Sequence, residues 1–134
     1  TGWERSTKAT LIVVPPKRLA KQFALAGSRC DQPVGLIDLF PTLSNVCGLS
    51  APENLDGKSL LPLLHDPAKQ TDRVIITTFG KGNFSLRNIR WRYLSYANGE
   101  EELYDLKIDP NEWANLSGDP RFTKVKKRLA SMIK

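Results

Sequence analysis

The sequence predicts an α/β chain that turns α+β in its C-terminal part. An α/β layer ends, and a small antiparallel sheet of about four strands, packed on a C-terminal helix, follows it. Three observations predict this. Thr10-Leu11-Ile12-Val13-Val14 is an unbroken strand-forming run stopped by Pro15-Pro16, the pattern of a strand buried on both faces. Asn98-Gly99, between two alternating stretches, is among the strongest short-range hairpin signals. Phe122, Val125, Leu129 and Met132 step by three and four behind Asp119-Pro120, a pair suited to the N-cap and N1 positions of a helix.

The remaining elements follow in chain order. Residues 17–33 carry Gly27, Ser28 and Pro33 and read as a loop, with one or two irregular helical turns between Lys17 and Ala26. Leu36, Ile37, Phe40, Leu43, Val46 and Cys47 recur every three or four residues, which marks one helix face. Pro41 is expected to kink or restart that helix, and Gly48 suits its C-terminal end. Asp56-Gly57 supplies a turn, and the leucines after it form a short helix or 3₁₀ turn closed by His65-Asp66-Pro67. The polar stretch 66–72 divides the chain into residues 1–70, the α/β segment, and 71–134, the sheet and helix. Within the second part, 74–79, 84–88, 91–96 and 102–106 have strand-like periodicity and form a meander with one face covered by the final helix.

Composition narrows the function classes. At 134 residues, 40% apolar and 25% charged, the chain has an ordinary globular balance and the size of one domain. No apolar run approaches the ~20 residues of a bilayer-spanning helix, so no membrane partner is expected. Thr1 is followed by Trp and charged residues, not by the basic and apolar regions of a signal peptide. The net charge of +6 is moderate, and its densest cluster, 124–128, falls within a helical apolar pattern as a solvated face. Without a basic surface interleaved with aromatics, no nucleic-acid partner is expected. Cys30 and Cys47 flank the 34–48 helix, which separates them by about 20 Å, beyond the roughly 7 Å a disulfide tolerates. One His and no CxxC pair argue against zinc.

Four landmarks stand in a telling order. They are 3–7 (Trp-Glu-Arg-Ser-Thr) with the strand at 11–14, 33–43 with Cys47-Gly48-Leu49, 55–64 (Leu-Asp-Gly-Lys-Ser-Leu-Leu-Pro-Leu-Leu), and Tyr104 to Leu116 with its Asp109-Pro110-Asn111-Glu112 turn. Each alone is common. Together, spanning nearly the whole chain, they resemble the C-terminal portion of a sulfatase of the alkaline phosphatase superfamily, most similar to bacterial iduronate-2-sulfatase-like enzymes.

The resemblance implies a parent enzyme that hydrolyses sulfate esters, of a sulfated sugar or glycosaminoglycan, with a formylglycine nucleophile and a divalent metal, usually calcium. It also implies a periplasmic or extracellular setting. The Cys/Ser-x-Pro-x-Arg modification motif is absent: Asp31-Gln32-Pro33 follows Cys30, and Gly48-Leu49-Ser50 follows Cys47. No nucleophile, metal ligand or acid/base residue is therefore assigned here, and the chain alone is expected to be inactive. In the family, loops of the C-terminal sheet line the substrate pocket, which makes Lys81, Asn83 and Arg87 the candidate substrate-binding residues, Arg87 through a bidentate fork. Phe84 stands where close relatives often carry a His.

Other residues read as structural. His65 suits an exposed helix C-terminus, and Asp38 a buried hydrogen-bond partner. Glu100, Glu101 and Glu102 point to alternating faces and guard an edge strand. Asp105 and Asp109 form turns, while Tyr104 and Trp113 are expected to anchor the hairpin to the final helix. Two further functions fit the residues: a non-catalytic binding module derived from a sulfatase tail, and a phosphate or phosphonate ester hydrolase of the same superfamily. The run at 10–14 wants strand neighbours on both sides, so self-association through it is a further expectation.

Overall fold

A computed structural model describes residues 1–133 of the chain. In order, its elements are α1 (Glu4–Thr7), a 3₁₀ turn (Ala20–Gln22), a second 3₁₀ turn (Leu36–Asp38) leading into α2 (Leu39–Val46), and α3 (Leu61–His65). Strands β1 (Ile75–Thr78), β2 (Phe84–Arg87), β3 (Trp91–Ser95) and β4 (Glu101–Asp105) follow, then a third 3₁₀ turn (Pro120–Phe122) and α4 (Thr123–Ala130). They form two compact units: Leu11–Thr71, and Thr1–Thr10 with the chain from Asp72 onward. Residues 1–10, read from sequence as part of the first segment, lie with the sheet.

The sheet unit is an antiparallel meander in the order β1-β2-β3-β4. Gly99 turns the last hairpin at φ +87°, and the Asn98 side chain accepts from the Glu100 amide at 3.0 Å. Register places Tyr93 between Leu86 and Leu103, and Arg92 between Arg87 and Tyr104. With a side-chain period of two, these are opposite faces. Leu86, Trp91, Tyr93 and Leu103 form a core with Leu129 of α4, and Phe122 meets Trp91 edge-on at 5.7 Å. Asp119 caps the helical end as expected, accepting from the Arg121 amide at 2.9 Å. Met132 does not reach this core and is 40% exposed, because α4 ends at Ala130 and the chain leaves the 3.6 period; Ile133 packs there instead.

Two expectations fail for Leu11–Thr71. Residues 10–14 form no strand, and Ile12 and Val14 are 76% and 83% exposed. A strand exists only as a pair, and no described segment of this unit hydrogen-bonds to the run. The predicted helix face is also uncovered. Leu36, Ile37, Phe40 and Leu43 point to solvent, while Asp38, Pro41, Thr42 and Ser44 are buried. Pro41 causes no break, since it is the third residue of α2, where its missing N–H has no intrahelical partner to lose.

The inward side is polar because it ties two motifs together. The Asp38 carboxylate accepts the Gly35 and Lys58 amides, each at 2.8 Å. Thr42 Oγ1 donates to the Asp38 carbonyl at 2.6 Å and accepts the Leu60 amide at 2.8 Å. Gly57 backs onto the Ile37 carbonyl so closely that a Cβ would fall 2.1 Å from its oxygen. Asp38, Thr42 and Gly57, separated in sequence, are one joint.

Candidate functional site

Lys81, Asn83 and Arg87 do not converge. Lys81 lies exposed in the β1–β2 loop, whose turn is closed by Asn83 N–H donating to the Gly80 carbonyl at 3.1 Å. The Asn83 side chain accepts the Ala97 amide at 3.0 Å, locking this loop to the neighbouring hairpin. Arg87 ends β2, so it sits about 13 Å from Asn83 at the rise of an extended strand. Its Nε donates to Glu4 at 3.3 Å, and Nη1 donates to the Asn88 carbonyl.

What the sheet does gather, on the face opposite α4, is a buried charge network absent from the sequence reading. Arg92 is 2% exposed. Its Nη1 donates to the Gly2 carbonyl and to Ser85 Oγ, each at 2.8 Å, and its Nη2 donates to Glu4. Its Nε lies 2.7 Å from Glu112 Oε1, off line, so those two atoms pair by charge without a directed hydrogen bond. The other Glu112 oxygen accepts the Glu4 amide at 2.8 Å. Glu112 holds a left-handed backbone at φ +59°, uncommon for a residue with a side chain. That conformation turns the carboxylate from the Asp109 turn toward Arg92.

The two acids titrate in opposite directions. Burial opposes ionisation of Glu4, but the Arg87 and Arg92 charges outweigh it and hold its carboxyl below the ordinary value of 4.5. Burial pushes the Glu112 carboxyl up, against the Glu4 amide and the Arg92 charge. A lowered acid adds stability above its unfolded value, lost as pH falls through the native value. A raised acid does the reverse: its contribution is full below the unfolded value and fades as pH rises. For Glu4, therefore, the stability gap between the native chain and Glu4→Gln should be full above pH 4.5 and close below it. Thermal melts of both chains across pH 3–7 check this; a gap constant with pH would refute it.

The β4 acids serve structure. Glu101 pairs with Lys126 of α4 at 2.7 Å, while Glu102 on the other face accepts from Trp3 Nε1 at 2.8 Å and from the Tyr96 and Tyr104 hydroxyls. Burial pushes Tyr93 and Tyr96 each up to about 12, so neither is poised to ionise near neutral pH. Asp105 and Asp109 make their turns, Asp109 accepting the Ala114 amide at 2.9 Å. Tyr104 is buried, but its register puts it on the Arg92 face, away from α4. Trp113 anchors nothing: it is 84% exposed. The ring of His65, exposed at the end of α3, stacks on Phe23 at 5.5 Å.

Among the described residues, no group of three or more His, Cys, Asp or Glu is placed to hold a metal ion. Glu4 and Glu112 spend their charge on Arg92. These residues do not suit calcium, and no sequence motif here yields formylglycine. One signal for the network was visible. Both faces of β3 are apolar around Arg92, and an arginine buried there requires acidic partners.

The family described as N-sulphoglucosamine sulphohydrolase, C-terminal, matches residues 2–134. A sulfatase of Formosa agariphila is 34% identical over 131 residues, covering 98% of this chain and 25% of that protein. The Delta 4,5-hexuronate-2-O-sulfatase of Bacteroides thetaiotaomicron is 32% identical over 98 residues, covering 66% of this chain and 20% of that protein. The structure of a 2-O GAG sulfatase matches with a TM-score of 0.58 at 30% identity, covering 71% of this chain and 22% of that one. The chain thus spans about a quarter of the length of the relatives it matches. It belongs to the sulfatase C-terminal family of N-sulphoglucosamine sulphohydrolase.

Proposed function

We propose that this chain is the C-terminal unit of a sulfatase acting on a 2-O-sulfated uronic acid of a glycosaminoglycan-like sugar, and is inactive alone. The observation that carries the reading is the family match across residues 2–134. Its finer, iduronate-2-sulfatase-like part draws on a relative named as a hexuronate-2-O-sulfatase and a structural neighbour named as a 2-O GAG sulfatase. On this reading, calcium and formylglycine belong to the rest of the polypeptide. They supply the electrophile-activating charge and the nucleophile; the residues here wall the sugar site.

Within that wall, Lys81 offers an ammonium to a sulfate or carboxylate, and Asn83 holds the loop in position through Ala97. Arg87, whose Nε is held by Glu4 and whose Nη1 donates to the Asn88 carbonyl, offers its remaining N–H groups to a second anionic group. The experiment is sulfate release from a 2-O-sulfated unsaturated uronate disaccharide by the full-length enzyme. Release by the full-length protein and none by the 134-residue chain is expected. Lys81→Ala should raise KM several-fold with kcat little changed, the signature of lost uniform binding. An unchanged kcat/KM in Lys81→Ala or Arg87→Ala removes that residue from the site. Turnover of a phosphonate ester in place of the sulfate ester overturns the reading as a whole.

A further inference from the structure

The sheet unit contains an open cleft of about 350 Å³ between the start of the chain and the 109–114 turn, lined by Trp3, Arg5, Asn111, Glu112 and Trp113. That size lies within the range of small-molecule pockets, about 300–1,000 Å³. We propose that it binds an anionic pyranose, through residues other than Lys81, Asn83 and Arg87. The choice of a sulfated sugar as ligand rests on the sulfatase reading above.

Two tryptophans carry the argument. Trp113 is 84% exposed and Trp3 is 42% exposed, and neither is needed to close the sheet's core, which centres on Trp91. Aromatic surface left in water at a concave site is characteristic of a surface that meets a ligand. An indole face is electron-rich, and the axial C–H groups of a pyranose are slightly positive, so the two stack. Arg5 is exposed and forms no ion pair among the described residues. Its planar fork matches the oxygens of a sulfate or carboxylate. Asn111 adds an amide, donor and acceptor together, for a hydroxyl.

The lining is fixed before any ligand arrives. Trp3 is held by its Nε1 bond to Glu102 at 2.8 Å, and its carbonyl accepts the Ser6 and Thr7 amides at 3.0 and 3.1 Å. On the other wall, Asp109 accepts the Ala114 amide at 2.9 Å, and Glu112 accepts the Glu4 amide at 2.8 Å. Since Arg92 and this amide occupy the Glu112 carboxylate, its charge is offset inside the unit instead of repelling an anion. Preorganised walls reduce the ordering cost of binding.

Two of the chain's three tryptophans line the cleft, so its indole emission reports on occupancy. Titration of the chain with a 2-O-sulfated uronate–glucosamine disaccharide should give a saturable change in emission. Trp113→Ala and Arg5→Ala should each weaken binding at least tenfold, and Arg5→Lys less than Arg5→Ala. Melting curves of all three variants should match the parent, since both side chains are exposed. No saturable change overturns the site, as does equal binding by the alanine variants, by the unsulfated disaccharide or by inorganic sulfate alone. The readout needs no hydrolysis. Binding without sulfate release from the full-length protein would sink the sulfatase reading and leave the cleft; release without binding here would do the opposite.

Discussion

Arg92→Ala should destabilise the sheet unit by about 3–5 kcal/mol, the usual cost of removing one partner from a buried ion pair. The side chain is 2% exposed, and the groups it leaves behind include the carboxylates of Glu4 and Glu112 and the Gly2 carbonyl. The Glu112 side chain is only 5% exposed, so without Arg92 its charge is poorly solvated unless it takes up a proton. Lysine at position 92 should recover only part of the loss, because one ammonium cannot serve Gly2, Ser85, Glu4 and Glu112 as a forked guanidinium does. Urea unfolding measures it, and a loss under about 1 kcal/mol would mean the pair is not buried as described. A second cycle sharpens the test. In a Glu4→Gln, Glu112→Gln background the same Arg92→Ala change should cost less, by a coupling of about 0.5–3 kcal/mol.

Leu129→Ala should cost about 2–5 kcal/mol, the range for emptying a fully buried leucine position. Leu129 is 0% exposed and enters the cluster of Leu86, Trp91, Tyr93 and Leu103 from α4. Met132→Ala, one helical turn on, should change stability by less than about 0.5 kcal/mol, as for surface sites away from special features. The pair separates a helix that lids the sheet from one that merely accompanies it. Equal effects at the two positions would reject the packing described. The same α4 face is fastened by Lys126 to Glu101 at 2.7 Å, but a partly exposed ion pair contributes only about 0.2–1 kcal/mol. Burial, not charge, holds the helix.

How far the sequence could be read depended on how local the cause was. Strand alternation, the Asn98-Gly99 hairpin and the Asp119-Pro120 start were legible because each rests on neighbouring residues. The first segment was less so. A β-branched run at 10–14 states a preference for extended backbone, but a strand needs a partner to accept its hydrogen bonds. Spacing by three and four found α2 and named the side that is apolar; it could not say that the covered side would be the one with Asp38 and Thr42. Trp113 was misjudged for the same reason, since an aromatic beside a turn has no periodicity to say which way it faces.

By itself, the sequence determined the four strands, the final helix and the membership of the family, all consequences of short-range pattern and ordered motifs. Only the tertiary structure decided which charges meet. Arg92 is paired across 88 residues with Glu4, and with Glu112 from a turn beyond β4. The apolar neighbours of Arg92 hint that it is buried, but nothing in the strand names the two carboxylates it meets. The cost that pairs them is desolvation, which is a property of the surroundings that folding assembles and not of the residue alone.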